Sequence, residues 1–424
     1  MKYSFLTKLA GNFKKHPQEA KLGWHAEFLL DKAFREIDDG GFIDCHVHLA
    51  GLGEEETGCW INPTIMNARH PLDRFKLMNF INASAVEDLS LADQQYLERL
   101  QNLVNDFPYN GKFMLLAMDK AYHKNGEANL SDTKLYVPND YIFEVYLSDP
   151  DHYIPCVSIH PYRRDAVAEL EKWAKKGVRA VKWLPNTMGM NPADPLCEPF
   201  YEKMKEYDMV LLSHAGKESA VEVMKFKPYG NPLLLRKPLD MGVKVIVAHC
   251  ASLGTNFDLD STLNRPMSNF NLFLRLMEEK KYEGLLFADI SALVQLNRMG
   301  TPLKTMLERT DLHHRLINGS DYPLPAVNAV VPTRLFSALG YISSSERKGL
   351  NEIYKKNPLL FDFVLKRCLK HPLDKKKQFP SGIFQDHPLL GLSRPLKEGT
   401  ERDAHEGKGR PVSFTGKTGT KDYK

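Results

Sequence analysis

Residues 41–49 read GFIDCHVHL, and seven later stretches of the same kind decide the fold. They are KFMLLAMD ending at Asp119, YIPCVSIHP ending at Pro161, VRAVKWLP over 178–185 and DMVLLSHAG ending at Gly216. VKVIVAHC ending at Cys250, GLLFADIS ending at Ser291 and RLINGSDYP ending at Pro323 complete the set. Each is strand-length and apolar on nearly every position, as strands buried on both faces of a parallel sheet read. Amphipathic helical patterns separate them, clearest at 165–177, where Gly177 is a natural C-cap, and at 197–208. Eight strands alternating with helices predict a (β/α)8 barrel. An open doubly wound sheet would carry G-x-G-x-x-G after an early strand, and none occurs.

The ends of these runs hold the chemistry. His46, His48, His160, Lys182, His214, His249, Ser291 and Asp321 all sit at or near C-terminal ends. A barrel gathers those ends around one mouth, so positions far apart in sequence converge in space. On a regular strand, side chains two apart share a face. His46 and His48 then project together, Asp44 shares their face, and Cys45 and Val47 point the other way. Two imidazoles on one face suit a divalent metal. His214 and His249 stand at matching depth on the fifth and sixth runs, and Asp321 on the eighth. Read singly, His214 or His249 is more readily a satisfied core residue, and their shared depth with the H-x-H pair reverses that preference. Asp44 is expected to orient a ligand or the strand from behind. His160 is expected either at the mouth or in a structural role. Arg163, Arg164, Lys217 and Arg236 are candidates for an anionic substrate, against a default of solvated surface charge.

Composition excludes several classes. The 424 residues carry 57 basic and 53 acidic side chains, a net charge of +4 with no concentrated basic face for nucleic acid. Hydrophobic residues make up 43%, enough for a large core. The six cysteines are scattered without a C-x-x-C pair, which fits buried free thiols in a reducing, cytoplasmic compartment. The N-terminus lacks a signal-peptide core, and no run reaches the ~18 apolar residues of a transmembrane helix. The chain divides into an N-terminal helical extension (1–40), the barrel (41–370) and a C-terminal extension (371–424), whose polar, Gly-rich last part reads as flexible. A long connection at 50–112 separates the first two runs, and such connections serve as lids or specificity loops.

Taken together, H-x-H on the first strand, the histidines of SHAG and VAHC and the aspartate of GSDYP resemble the amidohydrolase superfamily, in its amidohydrolase-related branch. The resemblance covers about residues 40–370, with YKKNPLLFDFVL at 354–365 similar to the helix that closes such barrels. It implies metal ligation by His46, His48, His214 and Asp321. It implies that His249 binds a second metal or polarises the substrate. Lys182 is either carboxylated and bridging two ions, or unmodified beside one. The implied cofactor is one or two divalent ions, zinc foremost, with manganese or iron as alternatives. The implied activity is hydrolysis of a small-molecule ester, lactone, amide or related bond, with Asp321 taking a proton from activated water and His249 assisting. The alternatives are a non-oxidative decarboxylase on the same scaffold and a catalytically silent ligand-binding barrel. The expected partner is a small-molecule substrate, with no nucleic acid or membrane; homo-oligomerisation is left open.

Overall fold

The computed structural model describes residues 16–53, 56–67, 71–218, 220–221, 223–263 and 265–394. The expected flexible end of the C-terminal extension lies outside them. Eight strands form one parallel sheet in chain order: β1 (Phe42–His48), β2 (Gly111–Leu116), β3 (Tyr153–Val157), β4 (Ala180–Trp183), β5 (Val210–His214), β6 (Lys244–Ala248), β7 (Leu286–Asp289) and β8 (Leu316–Ile317). β8 returns to β1. The Cys45 amide donates to the Asn318 carbonyl (2.9 Å), the Asp321 amide to that of His46 (2.8 Å) and the His48 amide to that of Tyr322 (3.1 Å). The sheet is thus a barrel, and all eight expected strands are present.

The two faces of each strand serve different cores. Ile43, Cys45, Met114, Leu116, Cys156, Leu212, Ile246 and Phe287 fill the barrel interior. Val47, Phe113, Val181, Leu211, Val245 and Ala288 pack outward with the helices. Helix Ala166–Lys175 buries Leu170 and Trp173 in that outer layer, and Glu198–Glu206 buries Phe200, Tyr201 and Met204. Gly177 follows the first of these with φ +91°, a backbone shape that disfavours any Cβ. The helix Pro358–Cys368, with its N-terminus capped by the Asn357 side chain, is almost wholly buried against the barrel. Trp24–Phe34 packs on Ser344–Lys356 and on this last helix.

After the last helix the chain crosses the end of the barrel opposite the mouth. Gln385 pairs with Phe42 at the start of β1. Leu390 and Leu392 then join the interior cluster. Residues 371–394 therefore complete the barrel core rather than trail from it. All six cysteines are buried and unpaired, as expected.

Strand alternation fails at one point, and the failure matters for the site. The β1–β2 register shifts between Asp44 and Val47. Cys45 consequently faces the barrel interior, beneath the histidines, instead of pointing away from them. Asp44 does not share the histidines' face. Its Oδ1 accepts the amides of His46 (3.1 Å) and Ser320 (2.8 Å), stitching β1 to the loop after β8. Burial raises its pKa to about 6, against the nearby positive charge of Lys366. A bulge adds a residue to one strand and re-aims those beyond it. Among the described residues, no helix is long and apolar enough to cross a membrane.

Candidate metal centre

His46, His48, Lys182, His214, His249 and Asp321 all line one cavity of about 340 Å³ at the C-terminal ends of the strands. The structure therefore brings every proposed ligand to the same mouth. The candidate ligand atoms of His46, His48 and Asp321 lie within 4.8 Å of one another. His48 Nε2 is 3.1 Å from Asp321 Oδ1, and His46 Nε2 is 3.6 Å from the same oxygen. His249 Nε2 lies 3.9 Å from Asp321 Oδ2. Lys182, 1% exposed, places its Nζ 3.2 Å from His46 Nε2.

Backbone shape turns two of these side chains inward. Asp321 has φ +62°, and His249, Cys250 and Ala251 are all left-handed, with φ of 55°, 50° and 46°. Non-glycine residues enter this region only when surrounding contacts compel them, and such strain gathers at functional sites. Here the His249 amide is held by Asp289 Oδ1 at 2.8 Å.

Asp289, at the end of β7, also sets the ring protons. Its Oδ2 is 2.8 Å from His46 Nδ1. A carboxylate only accepts, so His46 carries its proton on Nδ1 and leaves Nε2 bare. The Ser291 hydroxyl donates to Asp289 Oδ1. Having one hydrogen, that hydroxyl must accept from His249 Nδ1 at 2.7 Å. His249 is thereby left with a bare Nε2 as well. One aspartate thus fixes two imidazoles in the tautomer that metal binding needs.

His214 lines the same cavity, outside the close group of His46, His48 and Asp321. Neither of its ring nitrogens makes a hydrogen bond, although the residue is 2% exposed. Its Nε2 is 3.3 Å from Glu218 Oε2 without hydrogen-bond geometry. A buried imidazole without a hydrogen bond is costly unless something absent from the polypeptide satisfies it. Burial first, then neighbouring charge, pushes the pKa of His46 and His249 well down; for His214 it falls to about 4 despite the opposing Glu218. These shifts favour the neutral form of His46, His214 and His249, the form a metal ligand needs. Burial raises the Asp321 pKa against the lowering effect of His48. Neutral imidazoles and one carboxylate form a donor set that fits zinc, manganese or iron.

Other candidates fall elsewhere. His160 spends both ring nitrogens on backbone: Nε2 meets the Met188 carbonyl at 3.1 Å and Nδ1 accepts the Tyr162 amide at 3.1 Å. Its role is structural. Arg163 pairs with Asp119 and Asp165, Arg164 lies against Glu127, and Arg236 pairs with Asp260 and Glu279. None of these, nor the exposed Lys217, lines the cavity. Asp289, Glu218 and Arg298 were not singled out by sequence. The signal for Asp289 was an acid two residues before Ser291 at a strand end; Arg298 sits in a loop with no motif.

The connection after β1 roofs the cavity with residues from Leu52 to Tyr96. It is tied down at several points. Trp60–Ile61 pairs with Leu135–Tyr136. Asp93 accepts the amide of Gly53 and the hydroxyl of Thr57. The Tyr96 hydroxyl donates to the His48 carbonyl at 2.7 Å.

The family model described as amidohydrolase matches residues 43–333. No curated protein matches the chain. Similar solved structures include a TIM-barrel protein of Bordetella bronchiseptica, with 17% identity over 73% of this chain and 94% of that one and a TM-score of 0.46. A protein of Pseudomonas putida described as a 2-pyrone-4,6-dicarboxylic acid hydrolase has 17% identity over 76% and 98%, with a TM-score of 0.40. The 5-carboxyvanillate decarboxylase of Novosphingobium aromaticivorans, complexed with manganese, has 13% identity over 82% and 97%, with a TM-score of 0.45. Likeness at this distance carries no argument about reaction or substrate.

Proposed function

The chain belongs to the amidohydrolase family, enzymes that work with a divalent metal, and from that premise we propose a hydrolase acting on a small-molecule ester, lactone or amide. The proposed ligands are His46, His48, His214 and Asp321, and the proposed ion is a single zinc. One observation carries the reading: His214 is buried without a hydrogen bond on either ring nitrogen, in the same cavity as two imidazoles held with unprotonated Nε2 atoms. When bound, such an ion supplies Lewis acidity, activating water and polarising a carbonyl near neutral pH.

The chain's own groups divide the proton work. Asp321 is the proposed base: its raised pKa suits a group that must both take a proton from water and give it up to the leaving group. His249 Nε2, 3.9 Å from Asp321 Oδ2, is a lone pair. It can accept a proton or bind metal, and it polarises a carbonyl only after it has been protonated. We assign it the second proton-accepting position. Lys182 is proposed unmodified. Burial lowers the Lys182 pKa, against Asp289, Asp321 and Glu218, which favour its positive charge; carboxylation would place a further anion among those three carboxylates. Its Nζ then stands by to balance negative charge that develops on the substrate.

The test is product analysis with zinc-loaded protein against a panel of esters, lactones and amides. Hydrolysed product is expected, and Asp321→Asn should lower turnover by about 10²–10⁴-fold. Release of CO2 without hydrolysed product would replace the hydrolase reading with a decarboxylase.

A further inference from the structure

Resting on the reading of this mouth as the active site, we infer that its substrate is an amphiphilic anion, an elongated apolar body bearing a carboxylate. The metal-binding groups occupy only part of the cavity. Much of the rest is hydrocarbon: Ile65, Leu77, Phe80 and Ile81 from the roof, with Leu135 and Val330 beside them. Leu77, Phe80, Leu135 and Val330 keep partial exposure while facing this chamber. A polar metabolite would leave those surfaces wet and gain nothing from them. An apolar chain would remove them from water, which is what apolar pocket walls favour.

The anion is assigned from Arg298. This side chain lines the same cavity and is 6% exposed. One terminal nitrogen donates to Ser252 Oγ at 2.9 Å, and Nε has no partner. Among the described residues it forms no salt bridge. A buried guanidinium without a carboxylate is costly, and a bidentate carboxylate is the ligand its fork fits best. Burial lowers its pKa against the opposing pull of Asp321, Glu218 and Asp289, yet a guanidinium does not lose its proton in a protein. Lys76 and Lys134 also line the chamber, and Asp73 stands with them.

The experiment is calorimetric titration of the full-length, zinc-loaded protein with butyrate, hexanoate, octanoate and decanoate, and with decanol. Affinity should rise about fourfold per added methylene until the chamber fills. Decanoate should bind at least tenfold more tightly than decanol. Arg298→Gln, checked for full metal content, should weaken decanoate by about ten- to a hundredfold and leave decanol unchanged. Phe80→Asp, in the roof and away from the ligands, should flatten the chain-length series. Affinity independent of chain length would overturn the inference. So would an undiminished preference for decanoate in the Arg298→Gln protein, which would put the carboxylate on the ion. No bond is cleaved in these titrations, so they stand apart from turnover. Tight decanoate binding with no ester hydrolysed would overturn the reaction and leave the substrate class intact.

Discussion

Replacing Asp289 by asparagine exchanges one oxygen for an NH2 group and should unsettle the whole centre. The carboxylate accepts four hydrogens: Oδ2 takes His46 Nδ1–H, and Oδ1 takes the amides of His249 and Ser291 and the Ser291 hydroxyl. An amide keeps one acceptor and turns the other side into a donor. If its NH2 faces His46, that ring must move its proton to Nε2, where the metal should bind. If its NH2 faces the backbone amides, buried donors oppose one another and the left-handed turn at His249 loses its anchor. Leaving a buried donor unsatisfied costs about 1–3 kcal/mol. Loss of such a supporting carboxylate costs about 10–100-fold in metal affinity, or about 1.4–2.8 kcal/mol at 1.4 kcal/mol per tenfold. The assay is zinc competition against a chromogenic chelator, paired with urea unfolding of the metal-free protein. A weaker Kd, a lower unfolding midpoint or both are expected. Zinc affinity within twofold of wild type, together with unchanged stability, would refute the tautomer argument.

Three further outcomes follow from other parts of the molecule. Asp93→Ala removes the acceptor for the Gly53 amide and the Thr57 hydroxyl, so the roof should loosen; steady-state kinetics should show a raised KM with metal content unchanged. Burial drives the His160 pKa down to about 3, far below its unfolded value of roughly 6.5, so the unfolded chain takes up the proton first. Its stability contribution is complete above pH ~6.5 and is lost as pH falls from there toward 3. Between pH 6.5 and 5 that loss is about 2 kcal/mol, read as a difference in urea unfolding between wild type and His160→Gln; equal pH slopes would exclude it. Leu392→Ala, 2% exposed inside the barrel, should cost about 2–5 kcal/mol without altering zinc stoichiometry. A near-neutral effect would mean the segment after 371 is only draped on the barrel.

Much of this was legible in the sequence because parallel strands buried on both faces leave an unmistakable record. VKVIVAHC and DMVLLSHAG are mostly apolar up to the mouth, with charge only at Lys244 and Asp208 near their starts, so His214 and His249 stand out against their own strands. What escaped has identifiable causes. The bulge at Asp44–Val47 escaped because the period-two argument assumes a regular strand, and nothing local marks an extra residue. It inverted the readings of Asp44 and Cys45 while leaving His46 and His48 in place. Asp289 escaped because its role depends on neighbours from two other strands, which sequence spacing does not reveal. Arg298 escaped because a loop arginine defaults to solvent, and only burial shows otherwise. Leu390 and Leu392 escaped because a polar, charged stretch precedes and follows them, masking two core residues.

The most direct test of the centre is anomalous diffraction from crystals of the zinc-loaded protein, recorded on both sides of the zinc edge. One peak per chain is expected, about 2.0–2.2 Å from nitrogens of His46, His48 and His214 and from a carboxylate oxygen of Asp321. A peak elsewhere with none at these four residues, or no peak at full zinc loading, would contradict the assignment.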